Sequence, residues 1–223
     1  MNKYNQYQFE EINQELFPSE AKSIQFPNPL LETTTTSYEI TPALDSGALI
    51  DVMVVYTDDA RSAAGGSTNM ENLINLAISE TNNGYSLSGI SHRMHLVHTA
   101  EVNFNERNNV SGTALDWVNS LSQLTNTDSV IDEVKIWRDT YAADLVVMIV
   151  NDTKYCGIVW LMNPSYTYDS VGFSLVSRTC ATGYYSFAHE TGHNMGSHHD
   201  RANASGTAMY SYSYGFQAND SSF

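Results

Sequence analysis

The chain has 223 residues, of which 42% are hydrophobic, and this size supports one sizeable core better than two. Ten Lys and Arg against 25 Asp and Glu give a formal net charge of −15, which disfavours nucleic acid and anionic membrane surfaces as partners. The longest apolar runs fall far short of the roughly 20 residues that a membrane helix requires. We therefore expect a soluble, monomeric domain without nucleic acid or membrane partners.

Residues 1–47 are predicted to be a linker or the remnant of a propeptide. They show little helical or strand periodicity and contain four prolines and a run of four threonines. Their start lacks the basic and apolar regions of a secretory signal. Few lysines and many Asn, Ser, Thr and Tyr residues nevertheless favour a secreted protein, so we expect its export signal to lie outside this chain. The folded domain is predicted to cover residues 48–223.

Apolar periodicity then alternates between strand and helix. The predicted elements are, in chain order, a strand at Leu49–Thr57, a helix from Thr68 to about Gly84, a strand at His92–Val102, a short helix at Leu115–Leu121, a longer helix at Val130–Tyr141 and a strand at Asp144–Val150. Thr68 and Glu71 form a capping box at the start of the first helix. This order predicts an α/β domain with a mainly parallel, twisted sheet and flanking helices.

Two further strands are predicted at Cys156–Met162 and Val171–Cys180. Their turn-rich connection is too short for a crossover helix, so the two strands should be antiparallel and one should be an edge of the sheet. Cys156 and Cys180 flank these strands, and a disulfide between them is sterically reasonable if the strands are neighbours. Two free buried thiols are the alternative.

A histidine-rich motif follows at residues 189–200. On a helix, His189 and His193 project from one face about a turn apart, at a spacing that a tetrahedral metal ion can bridge. Gly196 allows a positive φ that lets the chain leave the helix, so that His199 can return to the metal as a third ligand. Glu190 is rotated about 100° from His189 and is suited to act as general base on a water.

The string HExxHxxGxxHD resembles the signature of the metzincin zinc peptidases, and the Asp directly after the third His resembles the adamalysin or reprolysin branch. The segments DVMVVYT, NLAISETNNGY, ADLVVMIV, YCGIVWLM and VSRTCATGYYSFAHETGHNMG resemble bacterial reprolysin-like and peptidyl-Asp metalloendopeptidases. The resemblance covers about residues 49–216. It implies an α+β metzincin-like fold with an antiparallel edge strand and an active-site helix.

The resemblance also implies roles for individual residues. One catalytic Zn²⁺ would be bound by His189, His193 and His199, and Glu190 would transfer a proton from the attacking water to the leaving amine. Asp200 would brace the turn after the ligands. An extended protein or peptide substrate would add to the edge strand, with these substrate-binding residues: Gly157, Ile158, Val159 and Trp160.

Metzincins carry a methionine turn downstream of the third His. Only Met209 follows His199 here, and its context AMYSYSYGF does not resemble that turn, so we expect the C-terminal subdomain to be truncated. A zinc-dependent endopeptidase is the predicted function. A catalytically silent zinc-binding module and a zinc amidase acting on small molecules are the alternatives.

Other polar residues offer weaker signals. His92, His95 and His98 recur every three residues, but on a strand His92 and His98 should face one way and His95 the other, which argues against a second metal site. Asp58, Asp59 and the Asn-rich loop near Asn108 could supply oxygen ligands to Ca²⁺, yet such ligands are too common in loops to establish a site. Arg178 is predicted to make a structural salt bridge or, alternatively, to pair with an acidic substrate side chain.

Overall fold

A computed structural model describes residues 49–107, 115–162, 171–204 and 206–216. The predicted tail at residues 1–47 and Asn108 lie outside the described residues. The elements in chain order are β1 (Leu49–Thr57), α1 (Asp58–Ala64), α2 (Ser67–Leu87), β2 (Arg93–Val102), α3 (Trp117–Thr125), α4 (Glu133–Thr140), β3 (Leu145–Val150), β4 (Gly157–Val159), β5 (Phe173–Ser177), α5 (Ser186–Asn194), β6 (His198–Asp200) and β7 (Tyr214–Gly215).

One five-stranded sheet organises the domain, with the strand order β2-β1-β3-β5-β4. Strands β2, β1, β3 and β5 are parallel to one another, and β4 pairs antiparallel with β5 at one edge. All six residues of β3 are buried, as expected for a central parallel strand covered on both faces. The predicted α/β architecture with an antiparallel edge strand is confirmed.

Helices cover both faces of this sheet. Val146, Met148 and Val150 of β3 face a core cluster that also contains residues of α3 and α4. The alternate residues of β3 face a second cluster, to which α2 and α5 contribute. Helix α5 also contacts β4 and β5, so it lies on the α2 face close to the antiparallel edge.

Helix α1 directly follows β1 and is not predicted by apolar periodicity. Thr57 accepts a hydrogen bond from the backbone N–H of Ala60 at 3.0 Å and therefore caps the helix. Asp58 and Asp59 occupy the first turn, where their charges complement the helix dipole. These two residues, considered above as calcium ligands, thus help to begin a helix.

Helix α2 differs from the prediction at both ends. Its N-cap is Gly66, without a side-chain hydrogen bond, so the predicted capping box of Thr68 and Glu71 is wrong. The helix also continues beyond Gly84 to Leu87. The side chain of Asn82 explains this continuation, because it bonds both the N–H and the C=O of Met94 in β2 and fixes the last turns against the sheet.

Helix α4 is shorter than predicted, because Ser129 and Ile131 have positive φ angles and prevent a helix from starting at Val130. The small parallel pair β6–β7 is an addition to the predicted elements. Within the described residues no helix is both long enough and apolar enough to cross a membrane.

Candidate metal centre

A disulfide joins the start of the edge strand to the segment that leads into α5. Cys156 and Cys180 are bonded, with their Cα atoms 5.3 Å apart, and both are fully buried. Ser186 donates its backbone N–H to the carbonyl of Cys180 at 3.3 Å as α5 begins. The predicted disulfide is confirmed, and it connects β4 covalently to the approach to α5.

Three imidazoles converge at the C-terminal half of α5. His189 and His193 project from the helix, the chain turns at Gly196 with the predicted positive φ of +91°, and β6 returns His199 towards them. The Nε2 atom of His199 lies 3.2 Å from that of His189 and 3.1 Å from that of His193. Among the described residues, these three histidines are the only group of three or more His, Cys, Asp or Glu residues whose ligand atoms all lie within 4.8 Å of one another.

The donor set fits a tetrahedral cation. Bonds of about 2.0 to 2.1 Å between Zn²⁺ and nitrogen place neighbouring ligand atoms about 3.3 Å apart, close to the separations from His199. Nδ1 of His193 lies 2.8 Å from the carbonyl of Ser197 and donates to it, which leaves Nε2 of the neutral ring with a lone pair. The spacing of the histidines in the sequence does not reveal that the Ser197 carbonyl orients the ring of His193.

The adjacent His198 has a different role. Its ring is buried, and Nδ1 accepts a hydrogen bond from the backbone N–H of His199 at 2.8 Å. The same ring stacks on Tyr214 at a centroid distance of 5.7 Å. His198 therefore supports the strand that carries His199 and is not part of the three-histidine group.

Glu190 follows His189 on α5, and only 2% of its surface is exposed. Its carboxylate packs against the backbone of Gly157 in β4. The helix and the edge strand therefore enclose the acidic side chain that directly follows the first histidine of the group.

The edge strand β4 directs the backbone hydrogen-bonding groups of alternate residues towards its neighbour β5. The carbonyl of Cys156 accepts from Ser177, and the N–H of Trp160 donates to Phe173, so both groups face β5. Strand alternation then directs the backbone of Ile158 towards β5 and that of Gly157 and Val159 away from it. Of the four residues predicted to bind substrate, Gly157 and Val159 therefore direct their backbone groups away from β5, whereas Ile158 and Trp160 direct theirs towards it.

Trp160 makes several hydrogen bonds within the fold. Its indole N–H donates to Thr125 at 2.7 Å, and its carbonyl accepts from the amide of Asn194 at 3.1 Å. The same amide nitrogen also donates to the carbonyls of Val171 and Phe173. Asn194, inside the motif but not predicted to matter, thereby ties the end of α5 to both antiparallel strands.

Asp200 stabilises the turn after His199. Its carboxylate accepts hydrogen bonds from the side-chain amide of Asn203 at 2.7 Å and from the backbone N–H of Ala202 at 2.9 Å. The bond from Asn203 is the main reason why the pKa of Asp200 is below its ordinary value. These contacts are those of a residue that braces a turn.

Of the weaker candidates, only His92 lies near this group, because it lines the same cavity as His189 and His193. His95 pairs with Asp51 at 2.9 Å, whereas His98 stacks on Tyr141 at 3.9 Å, so neither faces the imidazole cluster. Arg178 donates to the amide oxygen of Asn151 at 3.1 Å, which is a structural contact.

A cavity of about 610 Å³ opens beside the imidazoles. His189 and His193 form part of its wall, and Tyr85 forms another part. Burial raises the pKa of the Tyr85 hydroxyl to about 12. The remaining lining is mainly apolar and consists of Ile50, Ile90, His92, Ala188, Gly192, Met195, Ser197 and His198.

The sheet, the active-site helix and the three-histidine group define a metallopeptidase domain. The chain belongs to Metallo-peptidase family M12, because the family model Reprolysin_5 matches residues 47–222. A peptidyl-Asp metalloendopeptidase of Stenotrophomonas maltophilia strain K279a is 37% identical over 171 residues, which cover 76% of this chain and 38% of that protein. A peptidyl-Asp metalloendopeptidase of Xanthomonas campestris pv. campestris is 34% identical over 176 residues, covering 79% and 40%.

One solved structure, titled "Structure of a chaperone-substrate complex", contains a chain that matches with a TM-score of 0.52 at 17% identity. The match covers 69% of this chain and 27% of the other, and it is a likeness of fold alone. The chain spans less than half the length of the two curated relatives described above.

Proposed function

We propose that this domain is a zinc-dependent endopeptidase. The observation that carries the proposal is the convergence of three imidazole nitrogens, from His189, His193 and His199. The buried Glu190 directly follows His189 on the same helix. Three neutral nitrogen ligands leave one position of a tetrahedral metal free, which is typical of catalytic zinc sites and not of structural ones.

The protein groups have separate tasks in the proposed reaction. Glu190 accepts a proton from the attacking water and then donates it to the leaving amine. Zn²⁺, when bound, would polarise the scissile carbonyl and lower the pKa of water as a Lewis acid. The bond from Nδ1 of His193 to the carbonyl of Ser197 fixes the ring orientation and the tautomer that offers Nε2 to the metal, and Asp200 keeps His199 in place by bracing the following turn.

The substrate is proposed to be an extended polypeptide that adds to β4, which is the outermost strand of the sheet within the described part of the chain. The outward-facing N–H and C=O groups of Gly157 and Val159 are suited to pair with it, whereas Ile158 and Trp160 support the strand from within. Because both curated relatives are named peptidyl-Asp metalloendopeptidases, we propose cleavage next to aspartate. The disulfide supports a secreted protein, since such bonds persist in oxidising compartments.

The test combines zinc analysis with peptide hydrolysis. Zinc content by elemental analysis should be one per chain in the unaltered protein, absent in His193→Ala and unchanged in the matched control His95→Ala. The unaltered protein and His95→Ala should cleave a mixed peptide library, with aspartate enriched at the cleaved bonds. Glu190→Ala should retain zinc and lose cleavage, because the general base is removed.

Each alternative predicts a different result. Zinc binding without any cleavage that depends on Glu190 would refute the peptidase and support a silent zinc-binding module. Hydrolysis of small amides with no cleavage of peptides would support the amidase instead. Cleavage that persists in Glu190→Ala would refute the assigned role of this carboxylate.

A further inference from the structure

The edge strand lacks a side chain at the point where it meets Glu190. An ideal Cβ on Gly157 would lie 2.3 Å from Oε1, 2.5 Å from Cγ and 2.6 Å from Cδ of Glu190. Real Cβ atoms do not approach other heavy atoms this closely. The carboxylate of Glu190 therefore occupies the volume in which any other residue at position 157 would place its side chain.

Backbone conformation does not explain this glycine. The glycines with positive φ among the described residues are Gly65, Gly66, Gly89, Gly183, Gly196 and Gly206, and Gly157 is not among them. Gly157 pairs regularly with Val176 as part of β4. Glycine in a strand interior is unfavourable in itself, so the space that it leaves is the physical reason for its presence.

The strand is fixed at this position from several sides. The neighbouring residue Cys156 is held by the disulfide to Cys180 and by its carbonyl bond to Ser177 at 2.8 Å. Gly157 itself is buried. Because β4 cannot easily move away, a new Cβ would have to displace Glu190 and not the strand.

We propose that Gly157 is a positioning residue, which confines the Glu190 carboxylate beside the imidazoles by leaving it the space of a missing side chain. The catalytic consequence rests on the proposed function, since it assumes that Glu190 is the general base. The steric coupling between the two residues does not rest on it. The two parts can therefore be tested separately.

Thermal unfolding of the zinc-free protein tests the coupling. Gly157→Ala should lower Tm by several degrees, because overpacking forces buried groups to shift. The loss should persist in a Glu190→Gln background, in which the side chain keeps its size, and should vanish in a Glu190→Ala background. The control Gly84→Ala, where no atom lies within 4 Å of the added Cβ, should have an equal or higher Tm.

Equal losses of Tm in the Glu190→Gln and Glu190→Ala backgrounds would overturn the proposal. If Gly157→Ala fails to fold, the double variant Gly157→Ala/Glu190→Ala must still fold, and its failure would likewise overturn the proposal. Neither measurement requires activity, so a protein that proves to be no peptidase leaves this result intact.

Kinetics test the positioning role in the active protein. Gly157→Ala should bind one zinc and keep its KM within about threefold, while kcat falls by about 100-fold, because a misplacement of about 1 Å suffices for such a loss. An unchanged kcat would refute the positioning role. A large rise in KM with unchanged kcat would show instead that position 157 acts only through substrate pairing.

Discussion

Reduction of the Cys156–Cys180 disulfide is expected to lower the free energy of unfolding by about 3.5 kcal/mol, as calculated from the chain entropy of the loop that it closes. The two cysteines are separated by 24 positions. Closing a loop of this length removes conformations mainly from the unfolded chain, and the cost of losing the bond increases slowly with loop length.

Urea unfolding followed by tryptophan fluorescence would measure the loss, in oxidised and in reduced protein. With a slope of roughly 2 to 3 kcal/mol per molar urea, the midpoint should fall by about 1 to 2 M. The variant Cys156→Ala/Cys180→Ala is the matched control, because a reductant should leave its midpoint unchanged. A loss below about 1 kcal/mol in the unaltered protein would refute the argument from chain entropy.

Further predictions concern Glu106, Asn194 and the metal. Glu106 is buried, and this burial raises its pKa above the ordinary value of 4.5. The folded state therefore binds the proton of this carboxyl group more tightly than the unfolded chain does. The free energy of unfolding should consequently fall as pH rises from about 4.5 through the raised pKa. Urea midpoints from about pH 4 to 8 should show this fall, and Glu106→Gln should flatten it; parallel profiles would contradict the assignment. Asn194→Ala should lose about 2 to 3 kcal/mol in chemical denaturation, because buried carbonyls lose their donor; a loss below about 0.5 kcal/mol would disagree. Zinc at about 1,000 times its Kd should stabilise the metal-free protein by about 4 kcal/mol in differential scanning fluorimetry, whereas an equal stabilisation of His193→Ala would place the metal elsewhere.

The parts of the fold that the sequence predicts are those set by local repetition. Val52, Val54 and the residues of β3 lie in continuous apolar runs that are typical of buried parallel strands, and the spacing of His189 and His193 corresponds to about one helical turn. Gly196 is predictable for a similar reason, since a turn with positive φ favours glycine.

Tertiary contacts decide the features that the sequence does not predict. Gly84 would end an isolated helix, yet α2 continues because Asn82 is bonded to the distant β2. The roles of Gly157 and Asn194 are equally hard to predict from the sequence. Gly157 leaves space for Glu190, and Asn194 donates to three backbone carbonyls, and these partners lie far away along the chain. Such residues show no period along the chain.

The cavity beside the imidazoles draws its walls from distant parts of the chain. The candidate metal ligands, two of which line the cavity, lie in one short stretch of the second half of the chain, whereas Ile50, Tyr85 and Ile90 come from the first half. The ligand stretch thus supplies one side of the cavity, and the first half of the chain supplies the other. Substitutions at Ile50, Tyr85 or Ile90 can therefore reshape the cavity without altering any of the three histidines.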